Sequence, residues 1–132
     1  MKDDETIVSS RISFYKNPKV SKTPNELFLN GNSLELLSIK IDEKESNYEL
    51  KDDGLLIINP PESFILETVV RIHPESKTNL NGLYRSSGNF CTQCEATGFR
   101  QITYYLDRPD ILSIFTTHIN ANRDKYPILL SN

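Results

Sequence analysis

The residue types most able to do chemistry are concentrated in one stretch of this chain. They are a Cys-x-x-Cys pair at Cys91 and Cys94, a lone carboxylate at Glu95, the amide Gln93 two residues before it, and an Asp-Arg-Pro-Asp run that ends at Asp110. Thiolates bind zinc or exchange disulfides, whereas a carboxylate held partly away from water binds a cation. Each of these chemistries indicates a different class of protein.

The cysteine pair does not have the context of a zinc site or of a redox dithiol. A structural zinc site needs four ligands, and the chain has no second Cys-x-x-Cys; His73 and His118 lie far apart, and neither has metal-motif spacing. A redox dithiol commonly opens a helix after a strand, a pattern that the sequence around Cys91 does not show. We therefore favour two buried or half-buried free thiols. A redox protein is the alternative, and a low thiol pKa would support it.

The rest of the sequence contains no arrangement typical of catalysis. It has no glycine-rich phosphate loop, no His-Glu-x-x-His and no Ser-His-Asp set that spacing would suggest. His118 is expected to face solvent, and His73 is expected at the end of a strand. The run 107–110 is expected to form a turn with its own ion pairs, and Arg100 is a partner for Asp107 or Asp110. No catalytic residue and no metal ligand is predicted.

Length and composition indicate one small domain. The chain has 132 residues, of which 37% are hydrophobic, below the ~45–50% that is usual for globular domains. A thin core, as between sheets, is therefore expected. The net charge of -3 makes nucleic acid or an anionic membrane an unfavourable partner. No apolar run reaches the ~18 residues of a membrane span, and no signal peptide is visible, so a cytoplasmic location is predicted.

Period-two alternation of apolar residues predicts strands through most of the chain. In the first of them Val8, Ile12 and Phe14 share one face, and Leu37, Ile39 and Ile41 are expected to share a face of the third. The predicted strands cover residues 6–15, 27–29, 37–41, 48–51, 55–59, 64–73, 110–121 and 126–130. The pattern indicates an all-β fold, either a β-sandwich or a saddle-shaped open antiparallel sheet, with one short helical or irregular segment near 96–106.

The stretch that contains Glu95 closely resembles the amine-binding loop of the bacterial aminopeptidase N family of zinc exopeptidases. Two runs carry the resemblance: Cys91-Thr-Gln-Cys-Glu-Ala-x-Gly-Phe-Arg and Tyr105-Leu-Asp-Arg-Pro-Asp. The similarity extends from Asn81 to Asn132 and continues more weakly upstream, through 29–31 and 55–60.

The resemblance implies that residues 1–132 form the truncated N-terminal β domain of an enzyme that removes amino acids from peptide N-termini. In the family, the residue matching Glu95 binds the substrate α-ammonium, and the residue matching Gln93 lines the same pocket. Zinc is expected in a catalytic domain that this chain lacks, because the family's His-Glu-x-x-His and Gly-x-Met-Glu-Asn motifs are absent here. The implied partners are that catalytic domain and a peptide N-terminus, and the chain alone is expected to be inactive and to hold no cofactor.

Truncation suggests a further property. The resemblance begins at what should be the domain's second strand and stops before its last strands, so sheet edges are expected to lack partners. Removal of the catalytic domain is also expected to uncover a surface around Phe90, Tyr104 and Tyr105. Both features predict a weak, concentration-dependent dimer beside monomer, and a strand edge is the favoured contact between the two chains. A stand-alone β-sheet protein-interaction module is the alternative function.

Overall fold

The computed structural model describes residues 4–19, 25–45 and 47–131; Met1 and Asn132, the ends of the predicted domain, lie outside them. Eight strands are assigned within these ranges, together with two short 3₁₀ turns at Pro74–Ser76 and Phe99–Gln101. The strands are β1 Thr6–Tyr15, β2 Glu26–Asn30, β3 Glu35–Ile41, β4 Tyr48–Lys51, β5 Gly54–Ile58, β6 Ser63–Ile72, β7 Gly82–Ser86 and β8 Asn89–Gln93. The predicted all-β class is confirmed, and the predicted short helical segment corresponds to the second 3₁₀ turn.

The first sheet has the antiparallel order β1-β6-β3, with β6 in the centre. The predicted inner face of β1 is confirmed, because Val8, Ile12 and Phe14 lie opposite apolar residues of β6. Phe14 stacks on Phe64 with ring centroids 5.2 Å apart. The sheet therefore has one apolar face, which it buries against the rest of the domain.

The third strand contains a β-bulge that the period-two pattern did not predict. Leu36 pairs with Val70, but Ser38 pairs with the adjacent Val69, so Leu37 is the extra residue. Leu37 is 43% exposed, whereas Ile39 is buried. The predicted placement of Leu37 on the inner face is therefore wrong, because a bulge reverses the alternation at the inserted residue.

The second sheet has the antiparallel order β2-β5-β4. Its β4–β5 hairpin turns at Asp52-Asp53, with Lys51 opposite Gly54, between the strands predicted for 48–51 and 55–59. Both three-stranded sheets contribute to one hydrophobic core. The fully buried aliphatic residues are Leu29, Leu55 and Ile57 from the second sheet and Leu66, Val70 and Ile72 from the first. Within the described ranges, no helix is long and apolar enough to cross a membrane.

A third, two-stranded sheet is formed by the β7–β8 hairpin. Its turn residues Ser87 and Gly88 have φ values of 50° and 84°. Positive φ at both central residues is typical of the type I′ turn, whose twist matches that of antiparallel strands. The sequence prediction did not include this hairpin, although Ser87-Gly88 between two strand-forming runs was a usable signal. It matters because β8 leads directly into the predicted amine-binding loop.

The strands predicted for 110–121 and 126–130 are wrong, because the structure assigns no strand there. Ile111, Ile119 and Ala121 are partly buried, whereas Phe115 is 55% exposed; His118 is exposed, as expected. A turn separates the two pieces, since the Tyr126 amide donates to the Asn122 carbonyl at 2.8 Å. Alternation alone does not make a strand; a neighbouring strand must supply the ladder, and none in the described part of the chain does so.

Candidate amine-binding loop

The structure brings Gln93 and Glu95 into one exposed loop. Gln93 is the last residue of β8, opposite Gly82 of β7. Glu95 lies two residues further on, in a turn that leads into the 3₁₀ turn Phe99–Gln101, and the Glu95–Ala96 peptide is cis. Both side chains are exposed to solvent. The loop therefore exposes one carboxylate and one amide from positions two residues apart.

Gly98 closes this loop. Its amide donates to the Cys94 carbonyl at 2.8 Å, so one hydrogen bond closes the turn that contains Glu95. A Cβ at this position would lie 2.5 Å from the Gln93 carbonyl oxygen, and closer still to the Asn81 side-chain oxygen. Real Cβ atoms essentially never approach heavy atoms so closely. Glycine is therefore required here for close approach, not for an unusual φ, which is -89°.

An ion pair between Arg100 and Asp107 holds the far side of the loop. The Asp107 carboxylate accepts from the Arg100 backbone amide at 3.0 Å and from its Nε at 2.9 Å, and the Asp107 carbonyl accepts from Nη2 at 2.7 Å. This is one of the two pairings expected for Arg100. The predicted turn at 107–110 is also present, with an exposed pair between Arg108 and Asp110 at 3.0 Å.

The same region is joined to the second sheet. The Arg100 carbonyl accepts from the Asn32 amide at 2.9 Å, and the Asp107 amide donates to the Asn30 side-chain oxygen at 3.3 Å. Asn30 and Tyr105 also exchange two backbone hydrogen bonds, of 2.8 and 3.1 Å. The loop is thus attached on one side to the β7–β8 hairpin and on the other to the end of β2.

Cys91 and Cys94 are both free and partly buried, as predicted. Burial raises the pKa of the Cys94 thiol, the negative charge of Asp107 adds to the rise, and the nearby Lys77 ammonium opposes it. Burial also lowers the pKa of Lys77, whose Nζ donates to the Gln101 carbonyl at 3.0 Å. A raised pKa keeps the Cys94 thiol protonated at neutral pH, and the thiol is less reactive than the thiolate.

Zinc does not fit the residues described here. Within 4–19, 25–45 and 47–131, no three His, Cys, Asp or Glu side chains come together as a possible ligand set. A catalytic zinc site needs three protein ligands and an open position. No step of a zinc-dependent reaction can therefore be assigned to these residues.

The aromatic residues near the loop are arranged differently from the prediction. Tyr104 and Tyr105 are buried in the domain, so they do not form the expected uncovered surface. Phe99, Tyr105 and Phe115 form a ring cluster with centroids 5.0 to 5.8 Å apart. Several exposed apolar side chains lie on the carboxyl-terminal segment instead. They include Leu112, Ile114, Ile128 and Leu130.

Comparison with known proteins finds relatives among aminopeptidases. The chain is 52% identical over 107 residues to aminopeptidase N of Escherichia coli, and 41% identical over 131 residues to aminopeptidase N of Haemophilus influenzae. These matches cover 80% and 96% of the chain. A crystal structure of Legionella pneumophila aminopeptidase A in complex with aspartic acid superposes with a TM-score of 0.89 at 34% identity over 96% of the chain.

In each of these relatives the match is a small part of a much longer polypeptide. The chain spans 12% of the Escherichia coli protein and 15% of the Haemophilus and Legionella proteins. The peptidase M1 N-terminal domain matches residues 3–132, which is nearly the whole chain. The chain therefore belongs to the peptidase M1 N-terminal domain family.

Proposed function

We propose that this chain is the N-terminal domain of a zinc-dependent aminopeptidase, and that its Gln93–Glu95 loop helps to bind the free α-amino group of a peptide substrate. One observation carries the proposal: the exposed Glu95 lies in a turn that is fixed on both sides, by the β8 ladder and by the Arg100–Asp107 pair. Membership of the family supports the aminopeptidase origin. The Legionella relative was solved with aspartic acid, an amino acid with a free α-amine.

The chemistry of the loop suits the task. An exopeptidase must accept a terminal ammonium and reject a mid-chain amide. A carboxylate that is desolvated on substrate binding does both, because a charge-assisted hydrogen bond is roughly twice as strong as a neutral one and an unpaired buried charge is costly. Gln93 would contribute a neutral contact to the same pocket and therefore a smaller share of the binding.

The loop is insufficient alone. Glu95 is open to water in this structure, and a single exposed carboxylate binds an ammonium only weakly. Within the proposal, the catalytic domain of the longer enzyme covers the loop, holds the zinc ion and adds a second carboxylate. The substrate is then a peptide N-terminus, and the domain's partner is that catalytic domain. The cytoplasmic location predicted from the sequence stays a prediction.

The first test concerns the chain by itself. We expect no turnover of an alanyl chromogenic substrate with or without stoichiometric zinc, because the described residues contain no zinc ligand set. Turnover that persists after removal of host peptidases would contradict the proposal. A His-Glu-x-x-His motif downstream in the same open reading frame would support it. A stop codon directly after Asn132 would favour the interaction module instead.

The second test concerns the loop within the full-length enzyme. We expect Glu95→Gln to lower kcat/KM by roughly ten- to a hundredfold, since a hydrogen bond to a charged group is worth about 1.5–3 kcal/mol. Gln93→Ala should have a milder effect. Glu62→Gln, at another exposed carboxylate, is the matched control and should leave kcat/KM unchanged. An unchanged value for Glu95→Gln would show that the loop does not bind the amine.

A further inference from the structure

We propose that Arg100 and Asp107 are positioning residues for Glu95, so that their ion pair sets the affinity of the full-length enzyme for its substrate without contacting the substrate. This inference rests on the proposed function, because it names what holds the amine-binding carboxylate in place. In the contacts described above the charged groups of the two residues bond to each other, and the Asp107 side chain is only 8% exposed.

The pair differs from a surface ion pair in burial and in geometry. The side chain of Arg100 is 27% exposed, whereas the side chains of the neighbouring pair, Arg108 and Asp110, are 59% and 67% exposed. The Asp107 carboxylate also accepts a hydrogen bond from the Arg100 backbone amide. One carboxylate therefore fixes both the side chain and the main chain of Arg100. Removing one member of a buried pair leaves an uncompensated charge, whereas an exposed pair contributes little.

The main chain connects this pair to Glu95 in two short steps. Arg100 lies in the 3₁₀ turn that follows Gly98, and the Gln101 amide donates to the Gly98 carbonyl at 3.0 Å. Gly98 in turn donates to the Cys94 carbonyl at 2.8 Å, directly before Glu95. The main chain before Glu95 is already fixed by the pairing of Gln93 with Gly82. The turn is thus held at two points, the pairing of Gln93 and the hydrogen bond of the Gly98 amide. We infer that the position of Arg100 determines the second of them.

Two substitutions weaken the pair in different ways. In Asp107→Asn the guanidinium loses its counter-ion while the side-chain volume is kept. This substitution is expected to loosen the turn, because the ion pair becomes a weaker neutral contact. Arg100→Lys keeps the charge but lacks the planar fork that bonds the carboxylate and the carbonyl together.

The experiment compares these two variants with Arg108→Gln in the full-length enzyme. We expect Asp107→Asn and Arg100→Lys to raise KM by roughly tenfold, with a smaller fall in kcat, and Arg108→Gln to match the unmodified enzyme. A misplaced carboxylate should weaken amine recognition in particular. Alanine hydroxamate and propionohydroxamate, which differ only in the α-amine, should therefore become closer in inhibition constant in the two variants. A purely structural defect would weaken both inhibitors equally, and that result would overturn the proposal.

Combination with Glu95→Gln separates this inference from the proposed function. If the pair acts through Glu95, adding Asp107→Asn to Glu95→Gln should change kcat/KM by less than about twofold, because coupled residues are not additive. Full additivity, or no effect of Asp107→Asn beside a clear effect of Glu95→Gln, would refute the positioning role and leave the proposed function standing. No effect of Glu95→Gln would refute both.

A measurement on the 132-residue chain covers the case in which the full-length variants do not fold. We expect Arg100→Lys to speed hydrogen exchange of the Gly98 amide by roughly tenfold, while the Leu66 amide in the central strand is unaffected. Equal exchange of Gly98 in the two proteins would show that the pair does not hold the turn, and the proposal would fall.

Discussion

Gly98→Ala is the most informative single change in this domain, because the structure determines the sign of its effect. The added methyl would lie 2.5 Å from the Gln93 carbonyl oxygen and 2.8 Å from the Cys94 Cα, and closer still to the Asn81 side-chain oxygen. The Gln93 and Cys94 atoms that the methyl would contact belong to the backbone, so no rotamer change can move them away. The chain would have to open the turn, and with it the hydrogen bond from Gly98 to Cys94.

Two opposing terms set the size of the effect. The backbone angles at Gly98, φ -89° and ψ -17°, are open to alanine. In free space this substitution would therefore stabilise the protein by about 0.4–1 kcal/mol, through the lower entropy of the unfolded chain. Overpacking against fixed atoms costs about 1–3 kcal/mol. The second term dominates, so we expect a net loss of about 1–2 kcal/mol.

Urea unfolding followed by circular dichroism measures this loss directly. For a domain of this size, each kcal/mol corresponds to a fall of roughly 3–5 °C in Tm. Thr97→Ala, at the exposed neighbouring position, is the control and should stay within about 0.5 kcal/mol of the unmodified chain. A stabilised Gly98→Ala variant would mean that Asn81, Gln93 and Cys94 do not lie close to Gly98, and that close approach does not fix the loop.

Three further predictions concern the rest of the chain. Leu66→Ala should cost about 2–5 kcal/mol in urea unfolding, because Leu66 is fully buried in the central strand, whereas Leu112→Ala, at a side chain 92% exposed, should be nearly neutral. Both cysteines should react with a thiol reagent in the unfolded chain, as free thiols do. In the folded chain Cys94 should reach half its maximal rate with iodoacetamide above the pH of an ordinary thiol, because burial and Asp107 raise its pKa; a half-maximal pH below that of a model thiol would contradict this. Sedimentation velocity should show a weak, concentration-dependent dimer that Leu112→Lys with Ile114→Lys abolishes; a strict monomer at high concentration would refute it.

Strand positions could be predicted wherever alternation coincided with a turn signal. The first strand and the β4–β5 hairpin are examples, because side-chain period and turn chemistry are both local properties. The bulge at Leu37 could not be predicted, since it depends on the register against β6, and register depends on residues far away in the sequence. The segment 110–121 shows the converse case, in which a strand pattern meets no ladder partner in the described structure.

The candidate site, like the fold, was only partly predictable from the sequence. The roles expected for Gln93 and Glu95 came from the resemblance, and the Arg100–Asp107 pair was one of two pairings that the sequence left open. The attachment of this pair to Asn30 and Asn32 was not predictable, because it joins positions about seventy residues apart. Local sequence therefore indicated which residues belong to the loop, and only the tertiary structure shows what fixes them.

Aromatic contacts attach the carboxyl-terminal segment to the domain, whereas β-ladders hold the two three-stranded sheets together. Phe115 contacts Phe99 and Tyr105, the Tyr105 hydroxyl donates to Ser113 at 2.7 Å, and Tyr126 lies against Phe90. Contacts of this kind can be broken one at a time, whereas a β-ladder opens cooperatively. The segment can thus detach from the domain in a local opening that leaves the core intact, and its free energy of opening should be well below that of global unfolding. A protease would then cleave this segment first, and release a core that still contains both three-stranded sheets.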